Sequence, residues 1–120
     1  MRLSIEIKQL KIKARLGILP QEKQAPQNLF IDFKAEIIPK NWPVDALDAS
    51  LSYAKIHEIL CEITLSRHWD LLEELAEAIR LKLDSFEQIK SAEISLQKPD
   101  IIKNCKFVGI KLCWEGSTSP

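Results

Sequence analysis

Apolar residues fall at every second position at the start of the chain. Leu3, Ile5 and Ile7 share one parity, and Leu10, Ile12, Ala14 and Leu16 share the other. A two-residue period predicts a strand with one buried face. The parity change near Lys8-Gln9 predicts a bulge in it, because one extra residue returns the apolar set to that face. Gly17 ends the strand. Residues 18–27 carry Pro20 and Pro26, lack a period and read as a loop. Leu29, Ile31, Phe33, Ala35 and Ile37 then form a second alternating run, broken at Pro39.

After a connection over 40–50 the period lengthens. Ile56, Ile59, Leu60 and Ile63 follow helical spacing, and Ser50 or Ser52 can cap that helix. Residues 66–69 break it. Asp70 followed by Glu73 predicts a capping box that opens a second helix, whose apolar stripe is Leu72, Leu75, Ala76, Ile79 and Leu83. Two more alternating runs follow, Ala92-Ile94-Leu96 and Val108-Ile110-Leu112-Trp114.

The order ββααββ predicts an α+β domain over residues 1–115: a four-stranded antiparallel sheet with two helices on one face. Residues 116–120 read as a disordered C-terminal tail. Such a sheet leaves two unpaired edges. Pairing subunits edge to edge into a closed β-barrel would remove them.

Composition narrows the function. Seventeen basic and 17 acidic residues give zero formal charge, which opposes binding to nucleic acid by counterion release and to membranes by a polybasic patch. No apolar run approaches the ~20 residues of a membrane span. The N-terminus alternates and lacks a signal-peptide core, and Cys61, Cys105 and Cys113 lack CxxC spacing. Reduced thiols in the cytoplasm are the expectation. Three glycines, none in a phosphate-loop pattern, argue against a nucleotide fold.

Lys98 is the most informative residue. It continues the parity of Ala92, Ile94 and Leu96, so its stem leaves from the apolar face. Partial desolvation there would disfavour the ammonium and suit it to proton transfer; alternatively, the strand has reached solvent and the amine snorkels. Glu22 is either a solvated loop carboxylate or a ligand-binding one. Tyr53, at the start of the first helix, either packs at the core rim or stacks on a flat ligand. Glu73 either caps its own helix or, with free backbone amides, grips a heterocycle's edge. His57, Cys61 and His68 lack carboxylate support, so no metal site is predicted.

Taken together, the segments Gly17–Glu22, Leu51-Ser-Tyr53-Ala, Leu71–Glu77 and Leu96-Gln-Lys98-Pro99, followed by Val108-Gly109, resemble dihydroneopterin aldolases, tunnelling-fold (T-fold) enzymes of folate biosynthesis. The resemblance spans about residues 3–115. It implies a cofactor-free retro-aldol cleavage of 7,8-dihydroneopterin, with C2′ epimerisation as a side activity. Lys98 would be the acid/base residue. Glu22 would hold the substrate's side-chain hydroxyls. Tyr53 of a neighbouring subunit would line the pterin and protonate the intermediate. Glu73 and the Leu72 backbone would read the aminopyrimidine edge. The family implies homo-tetramers or homo-octamers with sites between subunits, and neither a nucleic-acid nor a membrane partner.

Two other readings share the fold. A dihydroneopterin triphosphate 2′-epimerase has similar Glu, Tyr and Lys positions and would favour a cationic rim, for which Arg15, Lys23, Lys103 and Lys106 are available. A non-catalytic pterin-binding or interaction subunit would lose nothing on Lys98→Ala.

Overall fold

The computed structural model describes residues 1–39, 42–43, 52–99 and 101–117. Strands β1 (Leu3–Ala14), β2 (Gln27–Ile37), β3 (Ile89–Pro99) and β4 (Phe107–Glu115) form one antiparallel sheet in the order β1-β2-β3-β4. Helices α1 (Tyr53–Leu65) and α2 (Leu72–Leu83) lie between β2 and β3 in the chain. This is the ββααββ order that the periodicities predict.

The alternation explains the layers. Leu29, Ile31, Phe33 and Ala35 of β2 and Ala92, Ile94 and Leu96 of β3 are buried on one face. They meet Ile56, Ile59 and Leu60 of α1 and Leu75, Ala76, Ile79 and Leu83 of α2. Burying each of the Leu, Ile and Phe side chains among them stabilises the fold by roughly 1.5–3 kcal/mol before entropic costs. The opposite face carries Asp32, Lys34, Glu36, Glu93 and Lys111, where strand residues alone line the surface among the described residues.

The predicted bulge is present. Ile7 pairs with Phe33 and Leu10 with Ile31, so β1 has one residue more than β2 across that interval. Gln9 takes the extra position at φ 53° and donates its N–H to Asp32 Oδ1 at 2.6 Å. The bulge puts Ile12 and Ala14 into the core.

Several boundaries differ from the sequence reading. β1 ends at Ala14, and Leu16 instead forms an isolated parallel bridge with Trp69. Residues 20–23 of the expected loop form a 3₁₀ turn. Ser52 caps α1 by accepting from the Lys55 N–H at 3.2 Å, while Ser50 lies outside the described residues. The predicted Asp70/Glu73 capping box does not form: the helix is capped one residue later, where Glu74 accepts from the Leu71 N–H at 3.1 Å, and Leu71 has no side-chain acceptor to return a bond. The helix starts there because the segment before it is tied backbone to backbone to the β1–β2 loop. Gly116 N donates to Lys90 O and Ser117 N to Asp84 Oδ1, so the tail is held through 117; 118–120 lie outside the described residues.

Candidate active site

Gly17 organises the site. Its φ of 104° is a region that side-chain-bearing residues avoid, and a Cβ there would overlap the Glu22 carboxylate. The chain turns at Gly17, and the 3₁₀ turn Pro20–Lys23 brings Glu22 back beside it. Backbone bonds lock this loop to the α1–α2 link: Gly17 N–H donates to Trp69 O and Trp69 N–H to Arg15 O, each at 2.9 Å. His68 Nε2 lies 2.8 Å from Gly17 O and 3.4 Å from Asp70 Oδ1. Both neighbours are acceptors, so that nitrogen carries the proton.

Lys98 reaches this loop from the end of β3. Its Nζ donates to Glu22 Oε2 at 2.8 Å, and the two side chains are only 14% and 9% exposed. The snorkelling alternative therefore fails, as does the solvated-carboxylate reading of Glu22. Burial alone would push the Glu22 carboxyl up. Hydrogen bonds from Lys98, Gln27 and the Leu19 amide, with the Lys98 charge, outweigh burial and hold it below the usual carboxylate range.

The sequence pattern alone does not mark Gln27 as a site residue. Its Nε2 donates to Glu22 Oε2 at 3.0 Å and to Leu16 O at 2.9 Å, so it fixes the carboxylate's rotation. A signal existed, because Gln27 shares parity with Leu29 and Ile31 and so puts an amide on the inward face of β2. No comparable signal pointed to His68, whose partner is 51 residues away.

Leu72 and Glu73 open α2, three and four residues after Trp69. The first amides of a helix have no intrahelical acceptor. Glu74 supplies the cap, so the exposed Glu73 carboxylate is released from the capping role that the sequence allowed it. Donors and a carboxylate therefore stand together at this end of the helical layer.

Tyr53 is elsewhere. It begins α1, 71% exposed. The link 66–71 makes α1 end where α2 begins, and the 13 residues of α1 extend about 18 Å at the helical rise. Tyr53 is thus at the opposite end of the layer from Glu73, and one chain does not unite the predicted set. His57 Nε2 and Cys61 Sγ are 3.5 Å apart on α1, away from His68 at Gly17. Burial raises the Cys61 thiol above its ordinary value.

Comparison with known proteins is consistent across sequence and structure. A family model described as dihydroneopterin aldolase (FolB) matches residues 5–113. The chain is 32% identical over 97 residues to a dihydroneopterin aldolase of Methylorubrum extorquens, covering 79% of this chain and 75% of that protein. It is 30% identical over 118 residues to dihydroneopterin aldolase 1 of Arabidopsis thaliana, covering 94% and 81%. Its fold matches that of the Escherichia coli dihydroneopterin aldolase solved with neopterin, with a TM-score of 0.80, 25% identity and coverage of 92% and 97%. A Vibrio cholerae structure has the same fold, with a TM-score of 0.82, 24% identity and coverage of 96% and 98%.

Proposed function

The chain belongs to the dihydroneopterin aldolase family, and we propose that its Glu22–Lys98 pair runs the proton transfers of that family's reaction. The activity is a carbon–carbon lyase: 7,8-dihydroneopterin is cleaved to 6-hydroxymethyl-7,8-dihydropterin and glycolaldehyde in folate biosynthesis. The observation that carries the assignment of residues is the 2.8 Å contact between Lys98 Nζ and Glu22 Oε2, two side chains largely sheltered from water.

The chemistry asks little of the protein. The C2′ hydroxyl loses its proton, the C1′–C2′ bond breaks, and its electron pair enters the N5=C6 imine of the dihydropterin ring. C2′ and C3′ leave as glycolaldehyde, and a proton delivered to the resulting enamine completes the second product. The ring is its own electron acceptor. The enzyme must orient the side chain and move protons.

Glu22 orients the side-chain hydroxyls, since its position is fixed by Gly17, Gln27 and Lys98 together. Lys98 exchanges protons with the C2′ oxygen, directly or through one water. At hydrogen-bonding distance the Glu22 carboxylate balances the ammonium and takes up part of its charge change during turnover. Glu73 and the Leu72 amide grip the aminopyrimidine edge at the start of α2, where the helix dipole supports an acidic group.

Tyr53 completes the site from a neighbouring subunit. Its distance along α1 from the start of α2 supports this, as do the unpaired edges β1 and β4. Ile110, Leu112 and Trp114 of β4 are only partly buried in one protomer, the pattern of a strand awaiting cover. We infer a ring of four subunits, alone or stacked in pairs, in which β1 of one protomer joins β4 of the next. The unbridged Cys61, Cys105 and Cys113 suit a cytoplasmic enzyme.

The test is incubation of the purified protein with 7,8-dihydroneopterin, following glycolaldehyde and the shortened pterin by chromatography. Both products should form, and Lys98→Ala should abolish them while light scattering shows the same assembly. A folded wild-type protein that forms neither product would overturn the assignment.

A further inference from the structure

A cavity adjoins the Glu22 carboxylate, and we propose that it receives a phosphoryl group esterified to the end of the substrate's side chain. Its volume is about 300 Å³, and Arg15, Glu22, Lys23, residues 24–26 and His68 line it. Arg15 and Lys23 are exposed, and neither has a carboxylate within ion-pairing distance among the described residues.

The acids nearby are already engaged. Glu22 faces Lys98 at 2.8 Å, and Asp70 lies 3.4 Å from His68 Nε2. The Glu22–Lys98 pair is neutral as a unit, which leaves Asp70 to set against the Arg15 and Lys23 cations. The cavity wall therefore has a surplus of positive charge beside the carboxylate to which the substrate's hydroxyls are assigned. Arg and Lys donors around a cavity of this size match a phosphate, whose oxygens accept several charge-assisted hydrogen bonds.

The inference rests on the role given to Glu22 in the aldolase reading. If Glu22 holds the C2′ and C3′ oxygens, a group on the C3′ oxygen must pass beside it. Cleavage of such an ester balances as the parent reaction does. The C1′–C2′ bond breaks, its electrons enter the ring imine, and the C2′ hydroxyl proton goes to the base. The phosphoryl group stays on C3′, so the aldehyde product is glycolaldehyde phosphate. No oxidant or further reactant takes part.

The experiment compares kcat/KM for 7,8-dihydroneopterin and its 3′-phosphate on wild type, Arg15→Gln/Lys23→Gln and Lys23→Glu. Wild type should cleave both substrates. With two exposed ion pairs lost, the double variant should lose about tenfold on the phosphate ester and less than about twofold on the free alcohol. Lys23→Glu should lose more on the ester, and raising salt should reduce the ester's advantage in wild type only. Equal losses on both substrates, no loss on the ester, or cleavage of the free alcohol alone would overturn the phosphate subsite and leave the aldolase assignment standing. Cleavage of neither would overturn both.

Discussion

Lys98→Met removes the charge from the site while keeping an apolar side chain of similar length. The Lys98 and Glu22 side chains are 14% and 9% exposed, so water cannot replace the lost ammonium in full. Glu22 Oε2 keeps Gln27 at 3.0 Å and Oε1 keeps the long 3.4 Å contact with Leu19 N. Leaving a buried group without one charged partner costs about 1–3 kcal/mol, the loss expected at pH 7. The pH dependence has a definite sign. Glu22 is held below its ordinary value of 4.5 in the folded chain. Its contribution is therefore present above that value and is lost as pH falls through the folded pKa. In the variant, burial acts without Lys98 to oppose it, so the stability gap to wild type should close in acid. Urea unfolding at a fixed protomer concentration, at pH 7 and again near pH 4, measures this. Adding Glu22→Gln should recover most of the loss, and turnover by Lys98→Met should fall about 10²- to 10⁴-fold. Equal stability at both pH values, or a double variant whose loss equals the sum of the singles, would refute the coupling.

Further expectations follow from other parts of the site. Gly17→Ala forces a Cβ into the Glu22 carboxylate at a positive φ; it should cost about 1–2 kcal/mol from backbone conformation alone and lower kcat by displacing Glu22, both read by unfolding and kinetics on one preparation. Glu74→Ala removes the cap on Leu71 and should cost roughly 0.5–1 kcal/mol with KM unchanged. Glu73→Gln should do the reverse, raising KM for the pterin at wild-type stability. Tyr53→Phe and Lys98→Ala, each impaired alone, should regain activity when unfolded and refolded together, because about a quarter of sites in a randomly mixed ring combine wild-type halves. No recovery in confirmed mixed assemblies would place Tyr53 and Lys98 of one site on the same chain.

The differences between sequence reading and structure have local causes. Asp70 and Glu73 satisfy the spacing of a capping box as well as Leu71 and Glu74 do, and the choice was made by Trp69, whose backbone pairs with Arg15 and Gly17. Gln27 reads as a loop residue because the apolar alternation of β2 begins only at Leu29. In the fold the strand starts two residues earlier, and that amide reaches Glu22. The bulge at Gln9 was legible because a parity change has one economical explanation in a half-buried strand.

What the chain determined by itself is what short-range spacing encodes: two periods in the order ββααββ, a bulge, a glycine where the backbone turns, and an amine on a buried parity. Those features follow from each residue's place relative to its near neighbours. Whether that amine meets solvent or a carboxylate is another matter, since Glu22 and Lys98 are 76 residues apart, and His68 and Gly17 are 51 apart. Contacts at that separation depend on strand register and on two loops closing against each other. Only the packed sheet and helices supply that geometry, so the residue types of the site could be read along the chain while its wiring could not.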